Sequence, residues 1–270
     1  MTAAMSGPVR WTELKAAEFE ARLADRPLVY LPMGMCEPHG QTAAFGLDLL
    51  KAEYICDHAA ARFGGIVAPS QGYHIHETGY HAPWLDEVVG DVNPRMAALP
   101  PDVVMRSLLF QLRAFVNAGF RSIAVITGHN GAQADLRLVA SEFMKIVPVP
   151  VIVQSDPELV AGTFPGDHAG KFEISQLMYC RPELVDLTRV DRAAHDPLGR
   201  FAQNPDAHEA TAEYGEQIMT AMIDRVGELV DATGTGPSDL PFLPFDAMET
   251  AWTALLAQRA FWVSYGPASG

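Results

Sequence analysis

Glu37 and His39 stand two residues apart in the stretch MCEPHGQTAAFGLD, and Asp48 closes it nine positions past the histidine. Carboxylates and an imidazole this close form either a solvated turn or one side of a metal site. Further along, His129 follows the run IAVITG, and His168 and Glu173 share the stretch GDHAGKFEIS. Glutamate, histidine and aspartate together offer carboxylate oxygen and imidazole nitrogen, a donor set suited to a divalent ion such as zinc or manganese. Glu37, His39, Asp48, His129 and Glu173 are the candidate ligands. A shared carboxylate such as Asp48 can bridge two ions, the arrangement that clamps and activates a water. His168 suits acid–base work because an ordinary imidazole titrates near neutrality, and Glu173, if not a ligand, can serve as a catalytic base that positions water. Plainer roles compete: Asp48 can cap a helix, and Glu173 can simply favour a helix N-terminus.

Such scattered residues meet only if the fold carries them to one place. RPLVYLPMG is a short apolar run ending in Gly, as a buried parallel strand does. DLLKAEYICDHAAARFG follows with helical spacing and stops at Gly64 and Gly65. GIVAPS reads as a second strand, and a long loop, QGYHIHETGYHAPWLDEVVGDVNP, then interrupts the pattern. PPDVVMRSLLFQLRAFVNAGF is the clearest helix, with Val104, Leu108, Leu112 and Phe115 on one stripe. RSIAVITG and VPVIVQS read as strands, and AQADLRLVASEFMKI and AGKFEISQLMYC as helices. The last part of the chain reads as a loop region and two helices, Ala212–Val230 and Phe245–Val263.

Strands separated by helices of this length imply an α/β fold with a mainly parallel sheet covered on both faces. No linker or repeat divides residues 1–270, which read as a single domain. Ligands of such sheets gather beyond the carboxyl ends of the strands. Glu37, His39 and His129 directly follow strands, Asp48 opens the first helix, and His168 and Glu173 follow the VIVQS strand through one loop. On extended backbone, residues i and i+2 point to the same side, so Glu37 and His39 can face one ion. His168 and Glu173 are five apart, about 140° around a helix. His168 therefore belongs in the loop and Glu173 in the first turns of the helix.

With 19 basic against 33 acidic residues the net charge is −14, and no basic block occurs. That argues against nucleic acid and anionic membranes as partners. Cys36, Cys56 and Cys180 form no C-x-x-C pair and read as reduced thiols. The start, MTAAMSGPVRW, lacks the apolar core of a signal peptide, and no stretch reaches the length of a membrane span. A cytoplasmic location is the expectation.

LPMGMCEPHGQTAAFGLD, ITGHNGAQ and GDHAGKFEIS resemble, in order, the three signature segments of the creatininase family of metal-dependent amidohydrolases. The resemblance covers about residues 28 to 185. It implies a three-layer α/β/α fold, frequently assembled as a hexamer, with one or two divalent ions. It implies metal ligation by Glu37, His39, Asp48 and His129, and a proton shuttle at His168 with Asp167 beside it. Substrates of the family are small, polar and opened at a ring or formamide C–N bond. There are departures: Gly131 stands where creatininase itself has a glutamate ligand of the second metal. QTAAFG replaces the usual H-L-P segment, and EIS replaces E-T-S. A second ion then depends on His39, Asp48 and Glu173, and the substrate pocket differs from that of creatininase.

The loop YHIHETGYHAPW holds three histidines and two tyrosines with Glu77 and Trp84. Such a set can hydrogen-bond a hydroxyl-rich ring, which makes His74, His76, Glu77, His81 and Trp84 candidate substrate contacts, along with Asp167. A subunit interface and a further metal site are the competing readings of the three histidines. The loop and the altered HGQTAAFG are similar to family members that open keto-inositol rings such as 3-dehydro-scyllo-inosose, placing the chain in carbohydrate or inositol catabolism. The expected activity is hydrolysis of a small polar cyclic substrate at a C–N bond. The alternatives are hydrolysis of a ring C–C bond and a non-catalytic oligomeric binding protein.

Overall fold

The computed structural model describes residues 7–76, 95–190 and 203–265. Four strands, β1 (Leu28–Met33), β2 (Ile66–Val67), β3 (Ser122–Thr127) and β4 (Val151–Ser155), form one sheet in the order β2-β1-β3-β4. All three pairings are parallel. Between the strands run α2 (Leu47–Phe63), α3 (Pro101–Asn117) and α4 (Gln133–Met144). After β4 come the short α5 (Asp156–Leu159), then α6 (Lys171–Cys180), α7 (Ala212–Thr233) and α8 (Phe245–Ala257). The α/β architecture with a parallel sheet between helix layers is the one the sequence implies.

Side chains of a strand alternate between faces, and here both faces are apolar because both are covered. Val29, Leu31 and Met33 of β1 pack with Ile123 and Val125 of β3 against α3, α4 and, beyond them, Trp252 and Leu255 of α8. Leu28, Tyr30, Ala124 and Ile126 point the other way, onto Ile55 and Ala59 of α2 and Ile218, Met222 and Val226 of α7. Helix α2 therefore lies on one face and α3 and α4 on the other. The winding reverses between β1 and β3, the kind of switch point where the crevice of an open α/β sheet lies.

The register brings the strand ends level. Met33 pairs with Thr127, and Thr127 with Ser155, so β1, β3 and β4 finish at one rim. Glycine sets how closely helices approach that rim. A Cβ on Gly34 would lie 2.4 Å from the Leu49 amide nitrogen, and one on Gly128 2.0 Å from the Asp48 carbonyl oxygen. Only a bare backbone after β1 and β3 lets the first turn of α2 sit there.

Two differences from the expected elements have local causes. Helix α1 (Ala16–Asp25), not anticipated, packs Phe19 against Trp11 and Phe120 at 5.0 and 5.6 Å between ring centroids. Helix α8 stops at Ala257, short of the expected Val263. The chain turns so that Trp262 meets Trp252 while the Val263 and Ser264 amides donate to the Asp135 carboxylate. Among the described residues no helix is long and apolar enough to cross a membrane.

Candidate metal centre

The five residues expected to ligate metal meet at the rim where β1 and β3 end, and all five are buried. Glu37 Oε1 lies 2.9 Å from His129 Nδ1, and its other oxygen lies 3.1 Å from His76 Nε2. Asp48, in the first turn of α2, faces both sides: Oδ2 is 3.4 Å from His129 Nδ1, and Oδ1 is 3.3 Å from His39 Nε2. His39 Nε2 is also 3.5 Å from Glu173 Oε2. Two adjoining groups result, Glu37–His76–His129 and His39–Asp48–Glu173, with Asp48 between them. A third grouping, Glu37–His39–His168, opens toward solvent.

Backbone contacts fix the rings. A carbonyl oxygen can only accept, so His39 donates Nδ1–H to the Glu37 carbonyl at 3.0 Å and keeps the Nε2 lone pair for the acids. His168 likewise donates Nε2–H to the Pro38 carbonyl at 3.1 Å. Its Nδ1 then faces Glu173 Oε2 at 3.7 Å and Glu37 Oε1 at 3.9 Å. The His129 amide donates to Thr127 Oγ1, whose hydroxyl donates back to the His129 carbonyl, closing the turn after β3.

Beneath the acids lies Lys51, one turn along α2 from Asp48 and completely buried. Its Nζ donates to Glu173 Oε1 at 2.6 Å, pairs with Asp156 Oδ2 at 2.9 Å, and is 3.7 Å from Asp48 Oδ1. Ala169 adopts a left-handed backbone, φ 52°, unusual outside glycine. Its amide donates to Glu173 Oε2 at 2.8 Å. Both oxygens of Glu173 are thus engaged by the chain itself.

The charges are mutually dependent. Burial opposes ionisation of Glu37, but His129 and His168 hold its carboxyl well below the usual range. Burial likewise opposes Glu173, and Lys51 with His39 pulls it down. In the other direction, burial acts to neutralise Lys51, but Asp156, Glu173 and Asp48 hold it above its ordinary value. Against the same burial, Asp48 and Glu173 keep His39 well above 6.5. Glu37 and Asp48 push His129 up to about 10, again against burial. A cluster of buried acids raising its imidazoles this way is one short of positive charge. His39 Nε2 and both Asp48 oxygens are buried without a hydrogen bond, facing one another across this space. Buried polar atoms are normally satisfied, and a divalent cation accepted by imidazole and carboxylate fits what these atoms lack.

A family model described as creatinine amidohydrolase matches residues 12–230. The chain belongs to the creatininase family. It is a hydrolase by that membership. It is 26% identical to the creatinine amidohydrolase of Pseudomonas putida over 261 residues, covering 84% of this chain and 97% of that one. It is also 26% identical to the 3-dehydro-scyllo-inosose hydrolase of Thermotoga maritima, over 136 residues that cover 50% of this chain and 40% of that enzyme. A crystal structure of creatininase superimposes with TM-score 0.70 at 23% identity, covering 84% of this chain and 98% of the other. A creatininase described as Zn-Zn type gives 0.71 with the same coverage, and one described as Mn gives 0.69. At these identities the superpositions concern the fold.

Within this creatininase-family chain, the other candidate residues fall in different places. His76, a candidate substrate contact with a further metal site among the competing readings, pairs with Glu37 inside the cluster. His74 lies behind His129 with no exposed surface: Nδ1 accepts from the Ile75 amide at 2.9 Å and Nε2 faces Thr127 Oγ1 at 3.4 Å. Burial pushes it down to about 3, with the charge on His129 adding to the effect. Asp167 accepts from the amides of Gly170, Phe172 and Glu173, holding the first turn of α6. Glu77, His81 and Trp84 lie outside the described residues. Lys51 and Asp156 were not anticipated. Lys51 reads in sequence as an ordinary polar position of an amphipathic helix, and its partners are 105 and 122 positions away.

Proposed function

We propose that this protein is a metal-dependent hydrolase that opens a small polar cyclic substrate at a C–N amide bond. The observation that carries the reading is Asp48, shared between two carboxylate–imidazole groups, with His168 at their solvent side. Glu37, Asp48, His39 and His129 would hold zinc or manganese, the ions named for two structural relatives. When bound, such an ion supplies the hydrolytic chemistry by lowering the pKa of water toward neutrality and polarising a carbonyl.

The chain's own groups then manage protons. With Nε2–H held by the Pro38 carbonyl, His168 takes a proton at Nδ1 and delivers it to the departing nitrogen. Its side chain is 27% exposed, against 8% for Glu173, so it is the member of the cluster open to a substrate. Glu37 and Glu173, beside Nδ1, stabilise the imidazolium between the two transfers. Glu173, held ionised by Lys51 and His39 against its burial, orients His168 and the water beside it. His74 and Asp167 act behind these groups, the first backing His129 and the second fixing the helix that carries Glu173.

Similarity to the inosose hydrolase supports a second reading, cleavage of a ring C–C bond in a cyclic polyol ketone. The same groups serve there, with carbon in place of nitrogen as the proton's destination. Turnover of a lactam and formamide panel compared with cyclic polyol ketones separates the two. Assembly as a hexamer in the cytoplasm belongs to the same family reading. In the metal-loaded enzyme, His129→Ala is expected to lose the ion and all hydrolysis. His168→Ala is expected to keep the ion and lose about 10²–10⁴-fold in kcat. Elemental analysis beside the kinetics checks both; full activity in stripped protein would end the metal reading.

A further inference from the structure

We propose that Lys51 is a built-in cation standing in for a second metal ion, so that the chain binds one divalent ion, on the Glu37–His129 side of Asp48. The inference rests on the metal-hydrolase reading and concerns how many ions that site takes. A second ion would need His39, Asp48 and Glu173 as ligands. Glu173 is already committed on both oxygens, to Lys51 at 2.6 Å and to the Ala169 amide at 2.8 Å. Gly131, two residues past His129, brings no side chain to help. Of these three ligands only His39 Nε2 and the Asp48 oxygens lack a hydrogen bond, where zinc sites of this type take three or more donors from the protein. Glu173 would have to share or give up its bonds to join them.

Charge points the same way. The second group holds two carboxylates, Asp48 and Glu173, with Asp156 directly beneath them. The Lys51 ammonium touches or closely approaches all three from a fully buried position. A divalent ion placed between Asp48 and Glu173 would sit close to that ammonium in a buried setting, where solvent screens the repulsion little. Lys51 thus supplies part of the neutralisation that a second ion would provide and holds Glu173 in place beside His168. It touches no reacting atom in this scheme and is a positioning residue.

The test is ion stoichiometry in the folded protein. Chelator-stripped wild type titrated with Mn²⁺ is expected to take up one ion per chain, with the spectrum of an isolated Mn²⁺ even in excess metal. Lys51→Met, close in shape and uncharged, is expected to take up two and to show the exchange-coupled spectrum of a pair. Lys51→Gln replaces it if the methionine variant does not fold. Lys51→Arg, which restores the charge, is expected to return the count to one. Two ions in the wild type overturn the proposal and leave the metal hydrolase standing, as does one ion in a folded neutral variant. Wild type that takes up neither Mn²⁺ nor Zn²⁺ defeats the metal reading itself, a result distinct from both.

Discussion

The Nδ1–H bond from His39 to the Glu37 carbonyl leaves one nitrogen, Nε2, facing Asp48 and Glu173, and leaves its lone pair free only when the ring is neutral. The acids that make the pocket attractive to a cation also make it attractive to protons. His129 is pushed up to about 10 by Glu37 and Asp48 despite its burial, and His39 stands well above 6.5. Metal uptake near pH 7 must therefore displace protons, and the apparent affinity should rise with pH and flatten near pH 10. Calorimetry in buffers of different ionisation heat measures the release, expected at about one to two protons per ion; uptake without release would contradict the assigned ligands. The convergence of Glu37, His39, Asp48, His129 and Glu173 was legible in the sequence because each of them follows a strand or lies at the start of a helix. The placement of His76 beside Glu37 was not legible, because its loop offers three histidines and nothing local says that His74 and His76 both turn inward. Lys51 and Asp156 were invisible for a different reason: a lysine is buried only when distant acids surround it, and those acids are named by the fold.

The start of α2 is the element on which the centre depends. Asp48 reaches both groups because this helix begins against the ends of β1 and β3, with Gly34 and Gly128 as the points of closest approach. A methyl group at position 128 would meet the Asp48 carbonyl at 2.0 Å, backbone that cannot swing aside. Gly128→Ala is accordingly expected to shift the first turn of α2, destabilise the fold by about 1–3 kcal/mol, and weaken metal binding more than an alanine elsewhere on the rim. Denaturant midpoints with a parallel metal titration check this; unchanged affinity would mean Asp48 is not set by that contact. The alternation of strands and helices could be read from apolar runs and glycine stops, and β1, α2, α3, β3 and β4 lie where that reading put them. The end of α8 was overextended because helical spacing continues through Trp262, whereas its packing on Trp252 and the bonds to Asp135 are tertiary. Helix α1 carried a signal in Phe19 and Leu23, four residues apart, both packed against the core cluster.

At the scale of the molecule, the reversal of winding between β1 and β3 explains how residues from Glu37 to Glu173 come to one rim. An ion held by these residues would join the ends of β1 and β3 to α2. Since it binds the folded chain and not the scattered ligands of the unfolded one, it should stabilise the whole fold. At free metal one hundred times Kd the gain is about 2.7 kcal/mol. Thermal unfolding with and without saturating Mn²⁺ measures it, and an unmoved midpoint would place the ion elsewhere or nowhere. The sheet order was not written in the sequence: the run of elements is compatible with several parallel orders, and only the register of Met33, Thr127 and Ser155 singles one out.

Lys51 also bears on the order of events in making the enzyme. It pins α2 to α6 through Glu173 and to the end of β4 through Asp156 without any ion. If these bonds shape the cavity, protein folded in the presence of a chelator and then freed of it should take up Mn²⁺ as fully as protein folded with the metal.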